Sequence, residues 1–191
     1  MSKKNPYIPV LLTIGCVTAA WVLIRKQETE ESLLNNDRDM RGNTKLPRGY
    51  RNNNPLNIRY NLFNAWKGKV LINEDKNATF EQFVTMAYGY RAALYLLRKY
   101  IRQGANSIAA IISRWAPENE NNTQAYIQHV CEFVTDLGTP VNAGTIVRAD
   151  DKDLLCKMAY AMSIIENGVT DETRAAGLPD MSIIEQGWDL L

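Results

Sequence analysis

Apolar residues recur at helical spacing through most of the C-terminal two-thirds of the chain. From Met86 to Gln103, Tyr90, Ala93, Leu94, Leu97 and Ile101 fall on one stripe, and the stretch stops before Gly104 as a helix should. Ser107 to Trp115 predicts a shorter helix closed by Pro117. Asn122-Thr123 opens a third over Gln124 to Leu137, with Ile127, Val130, Cys131 and Val134 on its buried face and Gly138-Thr139-Pro140 at its end. Asp150-Asp151 caps a fourth over Lys152 to Glu166, and a last amphipathic helix runs from about Pro179 to Leu190. Upstream the period shortens. Asn57 to Tyr60 and Lys67 to Ile72 carry strand-like residues, Asn73 to Asn77 is turn chemistry, and Ala78 to Val84 sets Phe80 and Phe83 among polar neighbours. These patterns predict an α+β domain over 48–191, mainly helical, with one small antiparallel β-hairpin.

The N-terminus reads differently. Tyr7 to Ile24 is 18 residues without a charge, bracketed by Lys3 and Lys4 before it and Arg25 and Lys26 after it. As a helix it would be about 27 Å long, close to the roughly 30 Å of a bilayer's hydrocarbon core. This predicts a short tail (1–6), a transmembrane anchor (7–24) contacting lipid, and a polar linker (25–47). A cleaved signal peptide and lipidation at Cys16 compete with the anchor. Against cleavage, the apolar run continues through Trp21 and Ile24, where a mature soluble chain should turn polar.

Composition narrows the chemistry. A net charge of +1 over 191 residues provides no basic footprint, so no nucleic-acid partner is expected. Cys16, Cys131 and Cys156 are far apart and His129 is the sole histidine, so neither a metal nor another cofactor is expected.

Two features carry candidate chemistry. Glu166 lies i+4 from Met162, i+7 from Ala159 and i+8 from Met158, on the buried stripe of its helix and at the negative end of the helix dipole. A carboxyl group in such a place suits a general acid that cleaves a glycosidic bond. The competing reading is a helix-end glutamate turned to solvent. The second feature is RGYRNNNPLNIRY, in which Asn52, Asn53, Asn54 and Asn57, with Arg51 and Arg59, can bind a ligand rich in hydroxyl and N-acetyl groups. They can equally stitch a turn onto its own backbone before Pro55. Glu81, and Glu74 in the hairpin turn, are secondary acidic candidates, and Trp66 and Trp115 can stack on sugar faces or belong to the core.

RGYRNNNPLNIRY is followed in order by AWKGK, FEQF, YGYRAALYLLRKY, ISRWAPENENNTQAYI and IIENG. The set resembles a family of phage and prophage proteins labelled virion structural proteins, after a membrane-associated structural protein of a lipid-containing marine phage. The asparagine motif, hairpin and helices are also similar to lysozyme-like peptidoglycan hydrolases. The resemblance implies a lysozyme-like fold, peptidoglycan glycan strands as ligand, and Glu166 and Glu81 as catalytic candidates. It implies Arg51, Asn52, Asn53, Asn54, Asn57, Arg59, Trp66 and Trp115 as substrate contacts. In those hydrolases the catalytic glutamate helix precedes the asparagine motif. Here it would have to come from the C-terminal side, as in a circular permutation. On this reading the chain is a membrane-anchored lysozyme or lytic transglycosylase, placed in a phage internal membrane or a bacterial inner membrane with its domain facing the periplasm or wall. The alternative is a non-catalytic virion protein that binds cell wall or assembly partners.

Overall fold

The structure is a computed structural model, and it describes residues 40–73, 75, 79–120 and 122–191. All of them belong to one compact unit, Arg38–Leu191. Seven helices are present among the described residues: α1 (Arg48–Arg51), α2 (Met86–Arg102), α3 (Ile108–Trp115), α4 (Thr123–Asp136), α5 (Lys152–Asn167), α6 (Asp171–Ala175) and α7 (Met181–Asp189).

The helix starts follow from side chains that satisfy the first free amides. Ser107 accepts from Ala110 at 3.2 Å, Asn122 from Ala125 at 3.1 Å, and Asp151 from Leu154 at 3.1 Å. Helix α2 ends at Arg102, and Gly104 then takes a φ of +96°, a conformation that favours glycine. The helices pack α2 on α7, α4 and α7 on α5, and α3 on α4. Leu94, Leu97, Ile111, Ile112, Val130, Leu155, Met158, Met162 and Ile184 are wholly buried between them. Gly187 sets the α2–α7 spacing, because a Cβ there would lie 2.8 Å from Tyr90 Cβ and 2.9 Å from the Ala87 carbonyl.

The expected lysozyme-like α+β fold with a β-hairpin is corrected. Among the described residues there is no strand, only isolated bridges at Arg59–Phe80, Lys69–Phe83 and Ser107–Ile146. The segment 79–84 lies between 58–60 and 68–70, with Glu81 N–H donating to Ile58 at 2.8 Å and Val70 N–H donating to the Gln82 carbonyl at 2.8 Å. The pairing never propagates because side-chain amides take the neighbouring carbonyls. Asn73 donates to Phe80 O (2.6 Å), Asn54 to Glu81 O (2.9 Å), and Asn53 to Phe83 O (3.1 Å) and Val84 O (3.3 Å). These side-chain bonds supply donors that a longer ladder would otherwise provide, although the Ile58 carbonyl accepts both the Asn54 amide and the Glu81 N–H.

The expected anchor, 7–24, lies outside the described residues. Among those that are described, no helix is long and apolar enough to cross a membrane. Helix α2, at 17 residues, carries Arg91, Arg98, Lys99 and Arg102. The expected single-pass membrane placement is corrected accordingly, since no described element provides a crossing. The end of the expected linker belongs to the domain: Leu46 is 3% exposed, and Met40 N–H donates to Asn53 Oδ1 at 3.1 Å.

Candidate functional site

The asparagine motif begins as the single turn of α1 and then breaks it. Asn53 and Asn57 both have φ of +50°, a left-handed conformation that asparagine tolerates better than other residues with a Cβ. Asn53 and Asn54 are wholly buried and Asn52 is nearly so. Asn54 is saturated, since it donates to Ile58 O and Glu81 O at 2.9 Å each and accepts from Ile58 N–H at 3.0 Å. Asn53 and Asn54 therefore serve the chain's own backbone, whereas the Asn52 side-chain amide makes no backbone bond and lies beside the Asp75 carboxylate. Their packing is close: a Cβ on Gly89 would lie 1.9 Å from the Asn53 carbonyl, so α2 can meet the loop only through a glycine.

Asn57 is the member of the cluster that faces outward to another element. Its amide donates to Glu166 twice, to the backbone carbonyl at 3.3 Å and to Oε2 at 3.1 Å. Beside it, Asn167 donates to Pro55 O at 2.7 Å and to Ser163 O at 2.9 Å. These bonds fasten the C-terminal end of α5 to the loop. Glu166 Oε1 accepts two further bonds, from Trp115 Nε1 at 3.3 Å on α3 and from the Tyr126 hydroxyl at 3.0 Å on α4. Tyr126 is buried there, and burial together with the neighbouring Glu166 carboxylate pushes its phenol well above the ordinary value. Glu166 is thus half-buried, with three donors from three separate elements converging on it.

A cleft of about 740 Å³ opens in front of this carboxylate. Its lining is Leu56, Asn57, Ile58, Arg59, Phe80, Leu96, Tyr100, Trp115, Ala116, Glu120 and Glu166. A smaller cavity of about 280 Å³ lies against the same glutamate, formed by Asn122, Ala125, Tyr126, His129 and Ile165. Apolar rings and aliphatic side chains with a few convergent polar groups are the makeup of a small-ligand site. Tyr100 and Trp115 meet edge to face with centroids 6.5 Å apart, and Arg114 lies over the Tyr100 ring at 4.4 Å. At the rim, Arg59 pairs with Glu120 at 2.7 Å.

Of the residues proposed from sequence, Glu166, Asn57, Arg59 and Trp115 line this cleft together. Asn52, Asn53, Asn54, Arg51, Trp66 and Glu81 do not. Trp66 is half-buried and meets Tyr95 edge to face at 5.8 Å. Glu81 is wholly buried, with the Lys69 ammonium 3.0 Å from Oε2 and 3.1 Å from Oε1, and it accepts the Asn61 amide at 3.1 Å. That is a charge paired inside the fold, with both of its hydrogen bonds on Oε1 and none on Oε2. Glu120, Tyr100 and Tyr126 are cleft or carboxylate contacts that sequence reasoning missed. Tyr126 carried a signal, because it lies i−4 from Val130 on the apolar face of its helix. Among the described residues no cluster of three or more His, Cys, Asp or Glu side chains is placed to hold a metal ion.

No protein-family model matches the chain. The chain is similar to Protein P5 of Pseudoalteromonas phage PM2, with 46% identity over 86 residues. The match covers 44% of this chain and 52% of that protein, so it spans about half the relative's length. The likeness to phage proteins read from the motifs is thereby supported, and a similarity to lysozyme-like hydrolases is not shown.

Proposed function

We propose that this chain is a non-catalytic phage virion structural protein whose helical domain binds a glycan of the cell wall in the cleft before Glu166. The observation that carries the binding reading is the set of three donors on that carboxylate. An ionised carboxylate offers about four acceptor sites, and Asn57, Trp115 and Tyr126 occupy three of them. Every group that touches it donates, which describes an acceptor locked in place. Locking also fixes the Trp115 ring at the cleft wall, where an indole face suits the apolar face of an amino sugar. The relationship to a phage protein supports the virion setting.

A second reading has one observation in its favour. Glu166 lines the same cleft as Asn57, the juxtaposition a glycan-cleaving general acid would need. The two readings separate in a single experiment: the full-length chain is mixed with purified peptidoglycan sacculi, then sedimentation and release of soluble saccharides are both measured. Binding without release, weakened by Trp115→Ala, supports the binding protein. Release abolished by Glu166→Gln would replace it with the enzyme, and absence of sedimentation would remove the wall as ligand.

A further inference from the structure

Arg59 is the only cationic residue lining the cleft among the described residues. Its backbone is held firmly, because residue 59 bridges Phe80 and the next amide, Tyr60 N–H, donates to the Thr79 carbonyl at 2.9 Å. Its guanidinium meets the Glu120 carboxylate through one nitrogen, at 2.7 Å. Glu120 belongs to no helix. It sits in the connection after α3, in a turn closed by its own amide on the Pro117 carbonyl at 3.0 Å. The side chains are 71% and 49% exposed, so water and dissolved ions reach both partners, and a pair of this kind exchanges readily. Glu166, the other carboxylate of the cleft, is held by its three neutral donors and does not pair with Arg59.

We propose that Arg59 reads a carboxylate on the ligand, and that Glu120 fills that place until the ligand's own carboxylate displaces it. The inference rests on the cleft being a glycan site and names the class of sugar it selects: an amino-sugar oligomer bearing a free acid group. Two features favour a sugar acid over an acidic peptide. Trp115 and Tyr100 present aromatic surface inside the cleft, and Asn57 lines it beside them on the same Glu166 carboxylate. An incoming carboxylate can engage the guanidinium through two parallel N–H bonds, where Glu120 uses one, and the exchange frees Glu120 to hydrate. Removing Glu120 should therefore tighten acidic ligands, whereas an ordinary rim contact would weaken on losing either member.

The test is calorimetric titration of the full-length chain with two soluble oligosaccharides of equal length. One is a neutral N-acetylglucosamine oligomer, and the other alternates N-acetylglucosamine with N-acetylmuramic acid, its carboxylates free. The expected result is tighter binding of the acidic oligomer. Arg59→Gln should lower that affinity about tenfold and leave the neutral oligomer unchanged, while Glu120→Gln should raise it severalfold. Both residues are exposed, and thermal melting of each variant confirms that it is folded. Equal loss of both ligands in Arg59→Gln, or weaker acidic binding in Glu120→Gln, overturns the inference and leaves the cleft a neutral glycan site. Failure of both oligomers to bind overturns the glycan reading itself. Arg59-dependent binding of a poly-glutamate peptide in their place would assign the cleft to a protein partner.

Discussion

Asn57 donates its side-chain amide to both the carboxylate and the backbone carbonyl of Glu166, across 109 residues of sequence, at 3.1 and 3.3 Å. One amide therefore orients a cleft carboxylate and satisfies a carbonyl in the last turn of α5. The same residue takes a φ of +50°, so its identity is set by backbone conformation as well as by bonding.

Replacement of Asn57 should separate these two demands. Asn57→Ala loses the bonds and also places a Cβ in the left-handed region without asparagine's local compensation, at a cost of about 2 to 3 kcal/mol. Asn57→Gly loses the same bonds without the backbone strain and should cost about 1 kcal/mol less. Urea denaturation of the two variants beside the parent checks the order, and glycine no milder than alanine would refute it.

The buried amide Asn54 should matter for folding and not for ligand contact. Asn54→Ala strands the Ile58 amide and leaves the Ile58 and Glu81 carbonyls short of a donor, with an expected loss of about 3 kcal/mol or more. The fraction that remains folded should sediment with sacculi as the parent does. Destabilisation below about 1 kcal/mol would show that water replaces the amide and that the loop is looser than the packing indicates.

Gly89 should be irreplaceable where α2 meets the asparagine loop. With a new Cβ only 1.9 Å from the Asn53 carbonyl, Gly89→Ala must push the loop off the helix, against the slight gain alanine brings to a helix interior. The expected outcome is a loss of about 3 kcal/mol or more. An exposed control such as Ser113→Ala should change stability by no more than about 0.5 kcal/mol.

Stability should fall at both ends of the pH scale. Burial pushes the Tyr50 phenol from 10.0 up to about 12 and the Cys156 thiol from 9.0 up to about 12. Groups raised on folding contribute fully below their ordinary values, so stability should decline as pH rises from about 9 through about 12. On the acid side, burial is the largest single influence on Asp75 and raises it, but the hydrogen bonds from Arg48 and Asn52 and the charges of Arg48 and Arg51 together outweigh burial and hold the carboxyl below 3.8. Its contribution is present above that value and is lost as pH falls through the lowered one. Melting temperature against pH should show both declines. Cys156→Ala should make the alkaline one shallower from about pH 9 upward, with the smaller Cys131 contribution remaining, and Asp75→Asn should flatten the acid one.

The local series decided the helices. Apolar stripes with Ser, Asn and Asp caps place α2, α3, α4, α5 and α7 within about two residues of their observed bounds, since periodicity and capping act over one or two turns. The same logic could not foresee the fate of residues 58–84. Strand-like composition there predicts a hairpin, yet whether a carbonyl pairs with a strand depends on what else reaches it, and Asn53, Asn54 and Asn73 arrive first. The site divides in the same way. That Glu166 continues the stripe of α5 is legible from spacing alone. That Asn57, Trp115 and Tyr126 converge on it, and that Arg59 and Glu120 close the rim of its cleft, comes from elements 40 to 109 residues away. Sequence by itself determined which faces must be buried and where helices begin, because those are local free energies. Only tertiary packing decided which amides turn inward as stitching and which meet the carboxylate, because long-range hydrogen-bond partners are chosen after the faces have met.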